Sequence, residues 1–566
     1  MTNTAQPAAA SSQGEEGEGD GLTHKAIMTV LFGLMLGLFL GALDLMIIAS
    51  AMRTIADELH GQTIQAWATT AYLVTSTITT PLLGKFSDIY GRKRIYVMSI
   101  VVFLAGSLLC GMAQSMWQLA AFRAVQGIGA GGVMTMAFAM MGDMMTPERR
   151  SRYQGWFSLV FGLAGVTGPL LGGFFAGMGE IAGIAGWRWV FLVNLPIGVL
   201  ALIVVATKFT MPRVRTAQKV DYWGAFALTL CLVPLLVVAE QGREWGWGTP
   251  LSLAMFALGL IGLVMFVRVE SAMGDAAIIP MRLFRTRTFS VINSVNIIVG
   301  LGVFGSLIFL PLYLQMVKGM SPTAASLMLL PQTAGTIIAS RTLGPVINRS
   351  GRFKAFLLLG LSLVTASLFM CGFVGPDTAV WVLVAITTVM GLGIGICFPV
   401  TLITLQNGAR KEEMGVASAA YMFFREIGAT AGVAIFLSIM FSVVGDKISD
   451  AFHGAAGDAG FRAAQSDPQV LADPANAQVL EAAQHGGRGI DLDDSSWLAN
   501  ADERLARPVL EGMADAVNTV YITAGCVMLV ALLVAFLLKE KKREEKEKET
   551  QGAGAGEKGE EPAAAG

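Results

Sequence analysis

Four charged side chains fall deep inside apolar segments of this chain: Asp44, Arg123, Arg425 and Glu426. An ionised carboxylate buried in hydrocarbon costs roughly 2.5–3.5 kcal/mol, so Asp44, within LGALDLMIIASAM, is expected to be protonated or paired for part of a working cycle. That makes it the first candidate for proton binding. Arg123 keeps its proton at all times, but its approach would lower the proton affinity of a nearby carboxyl and its retreat would restore it. Arg425 and Glu426 are sequence neighbours, so on a helix they point to different faces, and at least one faces a central cavity or another segment. Glu426 is the second proton or cation candidate. The plainer readings stay open: a static ion pair at Asp44, Arg123 bonding neighbouring carbonyls with Gln126 as helper, and structural pairing around Arg425.

The elements that hold these residues follow from composition. The 566 residues are 54% hydrophobic and only 14% charged, with 66 glycines, which is too apolar for a soluble fold wrapped in charge. Crossing a hydrocarbon core of roughly 30 Å takes about 20 apolar residues, and in lipid a helix satisfies its own backbone. The reading is an all-α polytopic membrane protein with 14 spans, near 28–52, 65–84, 95–113, 117–142, 153–177, 187–207, 220–240, 250–268, 289–316, 324–343, 354–374, 378–404, 415–444 and 517–538. Alternate short loops are rich in Lys and Arg, which places both termini in the cytoplasm. Asp44 then lies about 16 residues, or about 24 Å, along the first span, and Arg123 at a comparable depth.

The spans contain no histidine, no metal-ligand cluster and no nucleotide loop, so neither an enzyme nor an ATP-driven pump is expected, and no metal or cofactor. A net charge of −1 implies no nucleic-acid partner. The run GIGAGG near Gly127 lacks a preceding strand and reads as helix packing. Cys110, Cys231, Cys371, Cys397 and Cys526 lack paired spacing and read as reduced, buried packing residues.

The stretch GKFSDIYGRKR, from Gly84 to Arg94, is echoed 260 positions later by GPVINRSGRFK. The same offset relates Gly155, Gly168 and Gly172 to Gly415, Gly428 and Gly432, and the glycines at 127, 129 and 131 answer those at 391, 393 and 395. Two six-span halves are therefore duplicated in parallel, with spans seven and eight inserted between them. The expected domains are a cytoplasmic tail (1–26), a six-helix bundle (27–208), two inserted helices (209–288), a second six-helix bundle (289–538) with an extracellular loop at 445–516, and a charged tail (539–566). That loop reads either as a disordered insert or as a flap using Trp497, Leu498, Val509 and Leu510, with a short amphipathic helix in ERLARPVLEGMADAVNTV.

With these motifs the chain resembles the major facilitator superfamily, in its 14-span drug:proton antiporter branch. GKFSDIYGRKR is similar to the signature between spans two and three, LAAFRAVQGIGAGG to the arginine-bearing signature of span four, GVTGPLLGG to the antiporter motif of span five, and WRWVFLVNLPIG to a stretch of the 14-span branch. The resemblance implies proton coupling through the arginine at 123. It implies a conformational latch built from Gly84, Asp88, Gly91, Arg92 and Arg94, with Asp88 capping a helix or pairing with Arg92 across the seam between halves and the glycines allowing chain reversal. Gly165, Gly168, Pro169, Gly172 and Gly173, the antiporter motif, are expected to pack closely, bend one helix and seal the halves against leak. The family usually has a polar residue two places after the acid, where this chain has Met46.

Thirty methionines and 31 phenylalanines suit a deformable cavity for varied amphipathic ligands. Met46, Gln126, Tyr313, Gln315, Gln332 and Phe398 are its expected lining. The function so implied is export of amphipathic drugs or antibiotics in exchange for protons by a monomer in the plasma membrane, driven by the proton gradient. An endogenous lipid or secondary metabolite is the alternative cargo, and a non-transporting scaffold a third reading.

Overall fold

The computed structural model describes residues 24–61, 65–144, 147–208, 221–274, 277–320, 322–409, 414–487 and 501–538. Both tails, the cations Arg213, Arg215, Lys219, Arg410 and Lys411, and the flap residues Trp497 and Leu498 lie outside them.

The first half is built from α1 (His24–Glu58), α2 (Gln65–Tyr90), α3 (Arg92–Gly111), α4 (Met116–Met144) and α5 (Pro147–Gly177). A small antiparallel hairpin, β1 (Glu180–Ile181) with β2 (Ile184–Ala185), then leads into α6 (Trp189–Leu192) and α7 (Asn194–Lys208). The inserted pair is α8 (Tyr222–Trp245) and α9 (Pro250–Met273), which pack on each other while α8 also touches α2 and a helix of the second half. The second half opens with α10 (Arg287–Val299), a π-helical turn at Gly300–Phe304, α11 (Gly305–Leu307) and α12 (Phe309–Met316). It continues through α13 (Pro322–Leu327), α14 (Leu330–Ser350), α15 (Phe353–Cys371), α16 (Val380–Gly408) and α17 (Met414–Ala455). Three short helices, α18 (Ala459–Ser466), α19 (Pro468–Ala472) and α20 (Ala477–Gln484), precede α21 (Glu503–Phe536).

Every one of the fourteen expected positions is helical, and twelve helices among the described residues are long and apolar enough to cross a membrane. The two that fall short of that measure are α2 and α14. Threonine and serine lower the hydropathy of α2, yet Thr75, Thr79 and Thr80 return their hydroxyls to the carbonyls of Ala71, Thr75 and Ser76, one turn back. A hydroxyl satisfied on its own helix is cheap to bury.

The duplication is visible as packing. On α4, Gly127 and Gly131 press against the α2 backbone at Tyr72 and Ser76, while Gly129 presses against α3 at Phe103. On α16, Gly391 and Gly395 do the same to α14 at Gln332 and Thr336, and Gly393 to α15 at Val364. The run GIGAGG is thus helix packing in both copies. The α1–α5 pair repeats likewise: Gly168 and Gly172 close on Met46 and Ile47, and Gly428 and Gly432 of α17 close on Ile297 and Leu301.

Three expectations need correction. The described parts of the segment at 445–516 are helical: α17 runs on to Ala455, three short helices follow, and the amphipathic stretch is the first part of one continuous α21, while residues 488–500, with Trp497 and Leu498, lie outside the described residues. Val509 is fully buried there, with Leu510 half-buried, since two long helices packed side by side bury each other's apolar stripes. Second, Gly84 makes no turn; it lies inside α2, where an added Cβ would stand 3.1 Å from the Ala419 Cβ of α17. The reversal belongs to Gly91 alone, at φ 98°, a conformation that penalises any side chain. Third, the cysteines are unpaired and four are buried, but Cys526 is exposed.

Candidate functional site

Asp44 sits midway along α1 with no exposed surface, and Arg123 of α4 is 1% exposed. The Arg123 NH1 group donates to Asp44 Oδ2 at 2.5 Å. Asp44 Oδ1 accepts two further bonds, from Gln126 Nε2 at 2.7 Å and Asn194 Nδ2 at 2.8 Å. Around this core, Arg123 also donates to Gln126 Oε1 at 2.7 Å and to the Ala68 carbonyl at 3.4 Å, and Gln126 donates to Ser107 Oγ at 2.8 Å. The Tyr72 ring covers the guanidinium at 3.9 Å. Five helices, α1, α2, α3, α4 and α7, contribute one closed polar network.

Two charges removed from water are tolerable only when their geometry and remaining hydrogen bonds are satisfied, and removing one partner of such a pair costs about 3–5 kcal/mol. Here one atom stays unsatisfied: the Asn194 Oδ1 is buried without a hydrogen-bond partner. The site is therefore complete for an ionised carboxylate and one acceptor in excess.

Asn194, Ser107 and Tyr72 escaped the reading from sequence. The signal for Asn194 was a lone amide in the apolar run WVFLVNLPIGVLALIVVA. Asn194 opens α7, which packs on α1 and α3, and just upstream Arg188 NH1 donates to the carbonyls of Gly111, at the end of α3, at 2.8 Å and of Ala113, just past it, at 2.7 Å.

Gln126, expected in the cavity lining, is instead a fully buried member of this network. Of the other lining candidates, Met46 packs against Gly168 of α5, Tyr313 is buried and donates to the Gly375 carbonyl at 2.7 Å, Gln332 is buried, and Gln315 is exposed. Phe398 is half-buried and stacks on Phe304. Phase along each helix, invisible in a count of depth, decides these outcomes.

Arg425 and Glu426 stand on α17, apart from the Asp44–Arg123 pair, and both are half-buried. Arg425 has three rings around it and no ion-pair partner among the described residues.

In the turn after α2, Arg92 NH1 donates to Ser87 Oγ at 2.5 Å and Lys93 Nζ to the Ala206 carbonyl at 2.7 Å, while Arg94 is exposed. The side chain of Asp88 lies outside the described residues. Gly84 against Ala419 is where the halves meet at this end. In α5, Pro169 stands inside the helix and Gly168 and Gly172 meet α1, but Gly165, expected to pack closely, does not: a Cβ added there would meet nothing within 4 Å. Gly162, one turn earlier, packs on Thr333 and Ile337 of α14, so this helix touches both halves.

The model of the Major Facilitator Superfamily matches residues 34–433. The chain is 35% identical over 422 residues to the multidrug transporter protein MdtP of Bacillus subtilis, covering 74% of this chain and 76% of that one. It is 40% identical over 321 residues to a tetracycline resistance determinant of Streptomyces rimosus, covering 56% and 91%. In fold it resembles the crystal structure of the human organic anion transporter MFSD10, with a TM-score of 0.56 at 14% identity, covering 90% of this chain and 99% of that one. The duplicated glycine packing, the membrane-length helices and the family match agree: the chain belongs to the Major Facilitator Superfamily and is a multi-pass membrane transporter.

Proposed function

We propose that this transporter exports amphipathic, lipophilic drugs or antibiotics in exchange for protons, its two halves rocking about a central cargo site. The observation that carries the reading is the Asp44–Arg123 pair, sealed from solvent among neutral donors. Protonating Asp44 cancels its attraction for Arg123 and replaces an acceptor with a hydroxyl donor. The Asn194 amide can then turn over, so that its spare Oδ1 accepts the carboxyl proton. Arg123 falls back on Gln126, the Ala68 carbonyl and the Tyr72 face. The network thus has two arrangements, one per protonation state, each leaving one end of the Asn194 amide unpartnered and together spanning five helices of one half. A proton moving down the membrane potential supplies roughly 2.3 kcal/mol per 100 mV to drive the exchange.

The end of the bundle that carries the Gly84–Arg94 turn is the cytoplasmic one in this reading, with both termini on that side. Gly84 against Ala419 closes it, and rocking opens it. The names of the relatives support drugs as cargo.

The test is export from reconstituted vesicles of a panel containing lipophilic cations, tetracyclines and lipids, with the pH gradient present or collapsed. Gradient-dependent drug flux is the expected result. Flux of lipid alone replaces the cargo, and flux indifferent to the gradient, or none at all, refutes the proposal.

A further inference from the structure

Adding the 260-residue offset to Asp44 lands on Phe304, and adding the 264 that separate Gly127 from Gly391 to Arg123 lands on Thr387. The second half has no counterpart of the acid–arginine pair. Its charge sits instead on α17, where the Arg425 guanidinium lies 5.5 Å from the Phe398 ring centroid, 5.7 Å from Tyr421 and 5.8 Å from Phe304. Phe304 and Phe398 stack with centroids 6.0 Å apart and planes within 6°.

A guanidinium carries five N–H donors in a fixed fork. Arg425 spends one on a weak acceptor, the Met422 sulfur at 3.2 Å, beside the Tyr421 ring, whose hydroxyl donates to the Phe398 carbonyl at 3.2 Å. Glu426 points to another face of the helix, as adjacent residues must. Arg425, Phe304 and Phe398 also keep part of their surface open, in contrast to the sealed Asp44 and Arg123. The charge is available.

Phe304 closes the π-helical turn, a widened geometry found disproportionately at functional sites. Gly300 and Gly305, on either side, press against the α17 backbone at Arg425 and Gly432, which fixes the ring beside the guanidinium.

We infer that Arg425, Phe304, Phe398 and Tyr421 form a recognition subsite for amphipathic substrates carrying an acidic group, a carboxylate or enolate, on a flat apolar body. The guanidinium fork takes the acid and the parallel phenyl rings take the flat body. This rests on the export reading only for its consequence, a preference among cargoes; the binding itself does not.

The test uses purified full-length protein and three fluorescent probes sharing one ring system: pyrenebutyrate, its methyl ester and a pyrenebutyl trimethylammonium salt. Wild-type protein should bind the carboxylate roughly tenfold or more tightly than the ester, the span of a charge-assisted hydrogen bond. Arg425→Gln should bring that ratio near one, Arg425→Lys should restore part of it, and Phe398→Leu should weaken all three probes alike. No carboxylate preference in the wild type overturns the inference without any variant having to fold. An Arg425→Gln ratio equal to wild type, or a preference for the ammonium probe, overturns it too. Loss of gradient-driven export with the binding ratios intact sinks the proton-coupled reading and leaves the subsite standing.

Discussion

Replacing Asp44 with asparagine keeps the shape of the site and removes its charge. In the native network the carboxylate accepts three bonds, from Arg123, Gln126 and Asn194. An amide accepts through one oxygen only, and its NH2 group must face at least one of those donors. Arg123, 1% exposed, loses its counterion while buried. Loss of one partner of a buried pair costs about 3–5 kcal/mol, and the amide oxygen retains part of the bonding, so the expected destabilisation is about 3 kcal/mol. Because that penalty is the stranded cation, Asp44→Asn with Arg123→Gln should be less destabilised than the two single changes added together, with a coupling of about 1–3 kcal/mol. Denaturant unfolding of the purified protein measures the cycle. Vesicles loaded with a pH-sensitive dye measure the other half: both single variants and the double variant should lose substrate-driven proton movement, while substrate still runs down its own gradient. Additive stabilities, or an Asp44→Asn protein that still exchanges protons for substrate like wild type, would refute the argument.

Asn194→Leu should leave the ion pair formed but remove the acceptor that receives the carboxyl proton, slowing proton-coupled export at least tenfold with little change in substrate binding; equal losses in both measurements would reduce Asn194 to a packing residue. Gly84→Val should wedge α2 from Ala419 and raise the labelling of cysteine probes placed along the seam at the Gly84–Arg94 end, and unchanged labelling would mean the contact does not close that end. Asp502 caps α21 and is held below the usual carboxylate range by hydrogen bonds from the Arg504 side chain and backbone. A depressed carboxyl stabilises the folded form above its unfolded value, so this cap should weaken as pH falls below about 4. Hydrogen exchange at residues 503–507 should quicken in that range, and no change there would remove the cap from the stability of α21.

The sequence by itself determined the class of fold, the duplication and the first half of the site. Apolar segments of membrane length need no tertiary knowledge, because hydrocarbon allows a backbone to be satisfied only within its own helix. The glycine runs at 127–131 and 391–395 announced close packing because removing side chains has few other uses in such a helix. Asp44 and Arg123 stood out because charge in an apolar span is costly wherever it points. What remained hidden depended on rotation about helix axes and on distant segments coming together. Gln126 shares its depth with a cavity and its azimuth with Asp44, so only assembly of the bundle took it out of the lining. Asn194 meets Asp44 across 150 residues of chain because α7 docks on α1. Gly84 and Gly91 look alike in one motif, yet one is a contact between halves and the other a turn, a difference set by whether α2 continues past residue 84. Arg425 acquired its three rings from α17, α16 and the π-helical turn, elements joined by packing alone. Charge and hydrophobicity are properties of residues and can be read one at a time; a hydrogen bond or a ring face has a direction, and direction exists only once the helices are docked.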